Sequence, residues 1–346
     1  MIATGSRPVI PPVIEASGVP FHTSNTVMRV DAIPKRLIIL GGGYISAEFA
    51  HVFSAYGSAV TVIARSGPLL RHIDHDIAER FTALAKQAWD VRIGVEVTSA
   101  EQVGDEIRIG LSDGSTVTGD LLLVATGRIP NSDYLNLEAA GVAVHPDGRV
   151  VADEYQRTTA ENVWTLGDVS SPHQLKHVAN HEARVVAHNL MNPDSMIRTD
   201  HRFVPSAVFT HPQLAAVGMT EADAKAAGRN YTAALQEYGS TAYGWALEDT
   251  TSVCKVIADA DTGQLLGAHV MGEQAAALLQ PVIQAMSFGL GAREMARGQY
   301  WVHPAITEVV ENALLHLDVP RLTWEFPPRV SAVHPDGSMH GRNLPS

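Results

Sequence analysis

Cysteine is nearly absent. Cys254 is the only one in 346 residues, so no internal disulfide can form and these residues hold no thiol pair. It stands in the alternating run Ser252–Ile257, where a small core residue is expected and a reactive thiol is not. Basic clusters are missing too. Lys and Arg number 25 against 37 Asp and Glu, a formal charge of -12, and no aromatic residues interleave with basic ones. That pattern excludes nucleic acid as a partner. No apolar run reaches membrane-spanning length, and the N-terminus has no charged-then-apolar leader pattern, so a cytoplasmic protein with no membrane partner is expected.

The most informative stretch is RLIILGGGYISAE, residues 36–48. Leu37 to Leu40 read as a parallel strand covered on both faces. Gly41 and Gly43 supply a tight turn and a close backbone approach. The helix starting near Tyr44 aims its free N–H groups at an anion, with Ile45 in its first turn. Ser46 takes the third glycine position of G-x-G-x-x-G, where a small residue still permits close helix–strand packing. A second strand, 59–64, follows about twenty residues beyond the glycines. An NAD site places a carboxylate at its end. Here Ala64-Arg65 stands there, with Arg71 six residues on. Two guanidinium groups suit a 2′-phosphate, so NADPH is the expected nucleotide; ordinary solvated surface charge is the alternative.

Sixteen histidines raise the question of a metal. His177, His181 and His188 share roughly one helical face, with Glu182 beside the second, but the order is not that of a zinc protease and no metal is expected. Elsewhere the spacing predicts a helix over 76–88, strands over 91–97 and 106–111, and a hairpin at Asp113-Gly114 into Thr116-Val117. Residues 162–168 read as a strand ending in Gly-Asp, and 176–189 as a long helix. Beyond about Phe203, strands at 206–209, 251–258 and 264–270 mix with helices at 220–227, 273–288 and 304–317, an α+β pattern. Two A-T-G-x-x-P endings, at Ala3 and Ala125, flank the glycine-turn unit like the two crossovers of an inserted domain.

These pieces, in this order, resemble the pyridine nucleotide-disulfide oxidoreductases. GGGYISAE resembles the family's NAD(P)H fingerprint, ATGRIPN the return to the flavin domain, TLGD the ribityl-binding turn, FTHPQLAAVGMTE the opening of the dimerisation domain, and HPAITEVVE the catalytic C-terminal motif. The arginines, KHVANHEARVVAH and QYWVHPAITEVVENALLHL narrow the resemblance to a branch acting on a small-molecule disulfide. The resemblance implies an α/β fold in which a doubly wound NAD(P)-binding domain (36–120) is inserted between remnants of an FAD-binding domain (1–35 and 121–200). An α+β dimerisation domain (201–320) and a disordered tail (321–346) follow. FAD and NADPH are the implied cofactors, and a homodimer the implied assembly.

By the same resemblance His303 is the proton donor to the leaving thiolate and Glu308, five residues on in the helix begun by Pro304, orients it. A carboxylate beside an imidazole fixes its tautomer. Tyr44 resembles the gate over the flavin and Glu48 the carboxylate beside the nicotinamide amide. Gly127 lies at the return to the flavin domain, and Asp168 accepts from the ribityl chain. Lys176, His177 and Ala179 bring a helix N-terminus to the flavin pyrimidine edge.

Two family features are not found: the first G-x-G-x-x-G for the FAD ADP half, and the C-x-x-x-x-C pair. The chain is therefore expected to be an N-terminally truncated reductase. Two alternatives stay open, a non-catalytic NADPH-binding dimeric remnant and an NADPH diaphorase that needs FAD but no dithiol.

Overall fold

The computed structural model describes residues 1–320; the expected disordered tail, 321–346, lies outside the described residues. The chain opens with a short strand, β1 (Ser6–Pro8), and a one-turn-and-a-half helix, α1 (Pro12–Ser17). The glycine-turn unit follows: β2 (Arg36–Leu40), α2 (Tyr44–Ala55), β3 (Ala59–Ala64), α3 (His75–Ala88) and β4 (Asp90–Ile93). Next come the antiparallel β5 (Val97–Val103), β6 (Glu106–Leu111) and β7 (Thr116–Gly119), then β8 (Leu121–Val124) and β9 (Arg128–Pro130).

Strands β4, β3, β2 and β8 form a parallel sheet in that order. Its two faces explain the unbroken apolar run of β2. Leu37 and Ile39 pack on α2 and α3 with Phe53, Ile77 and Phe81. Ile38 and Leu40 pack against Ile107, Ile109 and Val117 of the three-stranded sheet β5–β6–β7. With both faces buried, alternation has no reason to exist. The two A-T-G endings meet: β1 pairs antiparallel with β9, Ser6 opposite Pro130 and Pro8 opposite Arg128. The chain thus leaves and re-enters at one place.

A helix, α4 (Lys176–Met191), precedes the second sheet. That part comprises β10 (Ser206–Val208), β11 (Gln213–Gly218), α5 (Glu221–Ala226), β12 (Tyr231–Glu237), α6 (Ala242–Ala246), β13 (Val253–Asp259) and β14 (Leu265–Gly272). It ends with α7 (Ala275–Ser287), α8 (Ala292–Arg297) and α9 (Glu308–Leu315). The antiparallel order is β10–β11–β14–β13–β12, with Val256, Ala268 and Val270 packed on Leu278, Val282, Val309 and Val310 of the helices.

Three expectations need correction. The strand predicted over 91–97 is two strands in different sheets: Gly94, at φ 78°, ends β4, and Val97 begins β5. Residues 162–168 form no strand. Their ladder pairing is limited to isolated bridges, Trp164 to Arg157 and Thr165 to Ile2, and Gly167–Val169 is a 3₁₀ turn. A strand needs a continuous neighbour, and here each partner offers a single residue. The helix predicted from Pro304 starts at Glu308, which makes Glu308 its first residue; residues 303–304 and 306–307 form turns instead.

Candidate active site

The glycine turn joins β2 to α2, and its glycines serve different purposes. Gly41 has φ 126°, and a Cβ there would lie 2.2 Å from the Ala125 carbonyl oxygen and 2.9 Å from Ser46 Oγ. Only glycine lets β8 and α2 close on the turn. At Gly43 a Cβ would meet nothing within 4 Å, so its bareness faces open space. Gly43 caps α2 without a side chain, leaving first-turn amides with no side-chain acceptor. Ser46 Oγ is buried with no hydrogen-bond partner. An uncapped helix N-terminus behind an open glycine fits a pyrophosphate group.

Arg65 and Arg71 are both exposed in the loop from β3 to α3, and Arg71 Nη1 donates to Ser66 Oγ at 3.2 Å. The loop is tied back to the turn, since Leu70 N donates to Gly42 O at 2.7 Å. Ile45 lies half-buried in the first turn of α2. Tyr44, beside it, places its hydroxyl 3.2 Å from Ser206 Oγ on β10. Glu48, one turn further, accepts from Phe209 N at 2.9 Å. Both residues therefore meet the second sheet.

Asp168 sits in the 3₁₀ turn and accepts from Ser6 Oγ at 2.7 Å. Arg128 holds Ser6 through Nε to Oγ (2.8 Å) and Nη2 to the carbonyl (2.7 Å). Gly167 adopts φ 76°, and a Cβ there would sit 3.5 Å from Ala179 Cβ on α4. Its amide donates to the buried Glu182 carboxylate at 2.6 Å. Lys176 and His177 are exposed at the N-terminus of α4, which has no side-chain cap, and His177 Nε2 is 2.8 Å from Pro205 O. Gly127, at φ 136°, accepts from Val9 N at 2.9 Å where β9 begins. The carboxylate, the uncapped helix and the close turn fit the polar side of a flavin nucleotide. The histidine face is used up otherwise: His188 Nε2 lies 2.9 Å from Ser195 O. No group of three His, Cys, Asp or Glu among the described residues is arranged for a metal ion.

His303 and Glu308 come together. His303 Nδ1 is 2.8 Å from Glu308 Oε1, and Oε2 accepts from Ala305 N at 3.2 Å. The imidazole is exposed and the carboxylate mostly covered, so the carboxylate is held in place while the ring stays accessible. Cys254 lies fully buried in β13, and burial pushes its thiol pKa up to about 12; a thiolate does not form there at neutral pH.

Sequence reasoning missed Ser6, Arg128, Ser206 and Phe209. Ser6 and Arg128 carried a signal, for they occupy neighbouring places in the two A-T-G endings. Glu182, in the sequence a neighbour of His181, instead accepts from the Gly167 amide.

A glycine turn on a parallel sheet, docked to an antiparallel-sheet domain that presents a His–Glu pair, defines a nicotinamide nucleotide oxidoreductase. Family comparison agrees: residues 1–183 match the model for pyridine nucleotide-disulphide oxidoreductases and residues 204–314 that family's dimerisation domain. The chain belongs to this family. It is 59% identical over 321 residues to mycothione reductase of Mycobacterium tuberculosis (strain CDC 1551 / Oshkosh), covering 92% of this chain and 70% of that protein. It is 33% identical to glutathione reductase of Burkholderia cepacia, over 89% of this chain and 68% of that one. Among solved structures, the HOCl-induced flavoprotein disulfide reductase RclA of Escherichia coli superposes with a TM-score of 0.81 at 30% identity, covering 90% of this chain and 72% of that one. No helix among the described residues is long and apolar enough to cross a membrane.

Proposed function

We propose that the chain works in the NADPH-dependent reduction of mycothione, the disulfide of mycothiol, as a cytoplasmic homodimeric flavoprotein. The observation that carries this reading is the His303–Glu308 hydrogen bond at 2.8 Å, in a chain 59% identical to a mycothione reductase. His303 is placed to hand a proton to a departing thiolate, and Glu308 keeps its Nδ1 side occupied so that Nε2 faces outward. When bound, NADPH supplies hydride and FAD relays the electron pair. Gly41, Gly43, Tyr44, Ile45 and Glu48 line the nucleotide side, and Arg65 and Arg71 are the 2′-phosphate ligands. Gly127, Asp168, Lys176, His177 and Ala179 hold the flavin side. Residues 36–120 form the nucleotide domain, 1–35 and 121–200 the flavin part, and 201–320 the dimerisation domain, whose exposed Phe288, Tyr300 and Val302 suit a partner subunit.

One observation favours a second reading. Disulfide exchange needs a thiol pair, and the only cysteine of these residues, Cys254, is buried and protonated. A diaphorase, which oxidises NADPH through flavin alone, needs none. The test is the visible spectrum of the purified chain with FAD and then NADPH, followed by NADPH oxidation with and without mycothione. A flavin band that NADPH bleaches is the expected result, and oxidation stimulated by mycothione over glutathione disulfide is expected once these residues act together with a thiol pair. Oxidation indifferent to disulfide favours the diaphorase. Failure to retain flavin overturns both and leaves a chain that binds the nucleotide alone.

A further inference from the structure

Lys255 is a cation with no place to be. It sits mid-strand in β13, between Cys254 and Val256, and its side chain is 4% exposed. Burial opposes its charge, yet its pKa is raised, because three carboxylates surround the ammonium. Nζ lies 2.9 Å from Asp74 Oδ1, 2.7 Å from Asp76 Oδ2 and 2.6 Å from Glu221 Oε2. Its cross-strand neighbour His269 is buried, with burial holding its pKa down and Nε2 2.9 Å from Met219 O, so it adds no competing charge near neutral pH. Two of the three carboxylates belong to the other domain.

Asp74 caps α3, its Oδ1 accepting from Asp76 N at 3.2 Å, while its Oδ2 accepts from Glu221 N at 3.0 Å. It therefore fastens the end of the β3–α3 loop to the second domain. The loop's middle is fastened to the glycine turn by the Leu70–Gly42 bond, and Leu70 adopts φ 56°, a left-handed conformation that a leucine keeps only under restraint. Arg71 stands between these two anchors.

We propose that Lys255 is a positioning residue for recognition of the NADPH 2′-phosphate. From the dimerisation domain it fixes, through Asp74 and Asp76, the loop that carries Arg71. This rests on the assignment of Arg65 and Arg71 to that phosphate. Losing the clamp lets the loop sample other arrangements, which weakens a bidentate grip that depends on angle as well as charge. NADH lacks the phosphate and should notice little.

The test is titration of the purified chain with NADPH and with NADH, read by nucleotide fluorescence, for Lys255→Met, Lys255→Arg and the double variant Arg65→Ala/Arg71→Ala. Lys255→Met should weaken NADPH binding by about fivefold to tenfold and leave NADH binding nearly unchanged, with Lys255→Arg restoring the preference. Hydrogen exchange over 65–73 should quicken in Lys255→Met alone of the Lys255 variants. Should Lys255→Met not fold, Asp76→Asn/Glu221→Gln, which keeps the Asp74 contact, should show the same selective loss in smaller measure. If the double arginine variant keeps NADPH preference, the phosphate assignment is wrong and the inference falls with it. If that variant loses the preference while the clamp variants retain it, or weaken both nucleotides equally, the positioning role alone is overturned.

Discussion

Replacing Gly41 and Gly43 in turn by alanine separates the two purposes of the glycine turn. At Gly41 the new Cβ would stand 2.2 Å from the Ala125 oxygen and 2.8 Å from its carbonyl carbon. Ala125 cannot retreat freely, because its amide donates to Leu40 O at 2.8 Å where β8 ends beside β2. Overpacking of this kind costs about 1–3 kcal/mol, and holding an L-residue at φ 126° adds roughly 1–2 kcal/mol. At roughly 2–4 °C for each kcal/mol, Gly41→Ala should lower Tm by about 4–20 °C. Gly43 is different. Its φ is -94° and nothing lies within 4 Å of the added carbon, so Gly43→Ala costs at most about 1 kcal/mol as a poorer helix cap. The methyl group then stands where the pyrophosphate must approach, and NADPH affinity should fall at least tenfold, about 1.4 kcal/mol. The assay is a thermal melt and a fluorescence titration on each variant. A Gly41→Ala chain that melts with wild type, or a Gly43→Ala chain that binds NADPH normally, would refute the reasoning.

Other perturbations test the remaining parts. In a form of the protein that carries a redox thiol pair, Glu308→Gln should lower disulfide turnover by about 10²-fold or more, the scale of general acid–base help, while flavin reduction by NADPH proceeds unchanged; equal loss in both steps would remove the His303 role. Cys254 should resist thiol reagents at pH 8 in the folded chain and react fully, one thiol per chain, in guanidinium; native reactivity would contradict its burial. Stability should fall in acid. His269 has a lowered folded pKa, so below about pH 6.5 the unfolded chain binds a proton that the fold refuses, and the slope reaches at most about 1.4 kcal/mol per pH unit. Burial opposes the Asp74 carboxylate, but the Glu221 amide and Lys255 outweigh it and lower its pKa, so its contribution is present above the ordinary carboxylate range and is lost as pH falls through the depressed value. Denaturant melts between pH 7.5 and 5 on wild type and His269→Gln check the first limb, which the variant should flatten.

What could be read from the sequence follows from where the physical signal is local. The β2–turn–α2–β3 unit was legible because two-sided burial writes a continuous apolar run and the turn demands glycine at fixed offsets. Helix α3 was legible from spacing, and the structure adds His75 at its start and the cap Asp74 before it. Strands β11 and β12, with the sequences QLAAVG and YTAALQE, went unread. Their alanines give weak β propensity, and what makes them strands is the ladder to β14 and β13. The same holds for the site. The His303–Glu308 pair spans five residues and its partners could be named together, whereas the Glu48–Phe209 and Ser6–Asp168 bonds join residues 161 and 162 positions apart.

Lys255 shows how a misread local pattern can hide a long-range demand. SVCKVI reads as an alternating strand with Cys254 in the core, yet every residue from Ser252 to Ala258 is buried. Both faces of β13 are covered, one by α7, α8 and α9 and the other by the glycine-turn domain at Val253 and by Ala224 of α5 at Ile257. A lysine there cannot reach water, and a buried ammonium is tolerated only among carboxylates. Its own strand and the two beside it offer none at the right height. The carboxylates come instead from the cap of α3 and from α5, and the cap belongs to the loop that carries Arg71. The requirement to neutralise one buried charge thereby ties the dimerisation domain to the nucleotide-binding loop, and it does so through residues that no sequence window holds together.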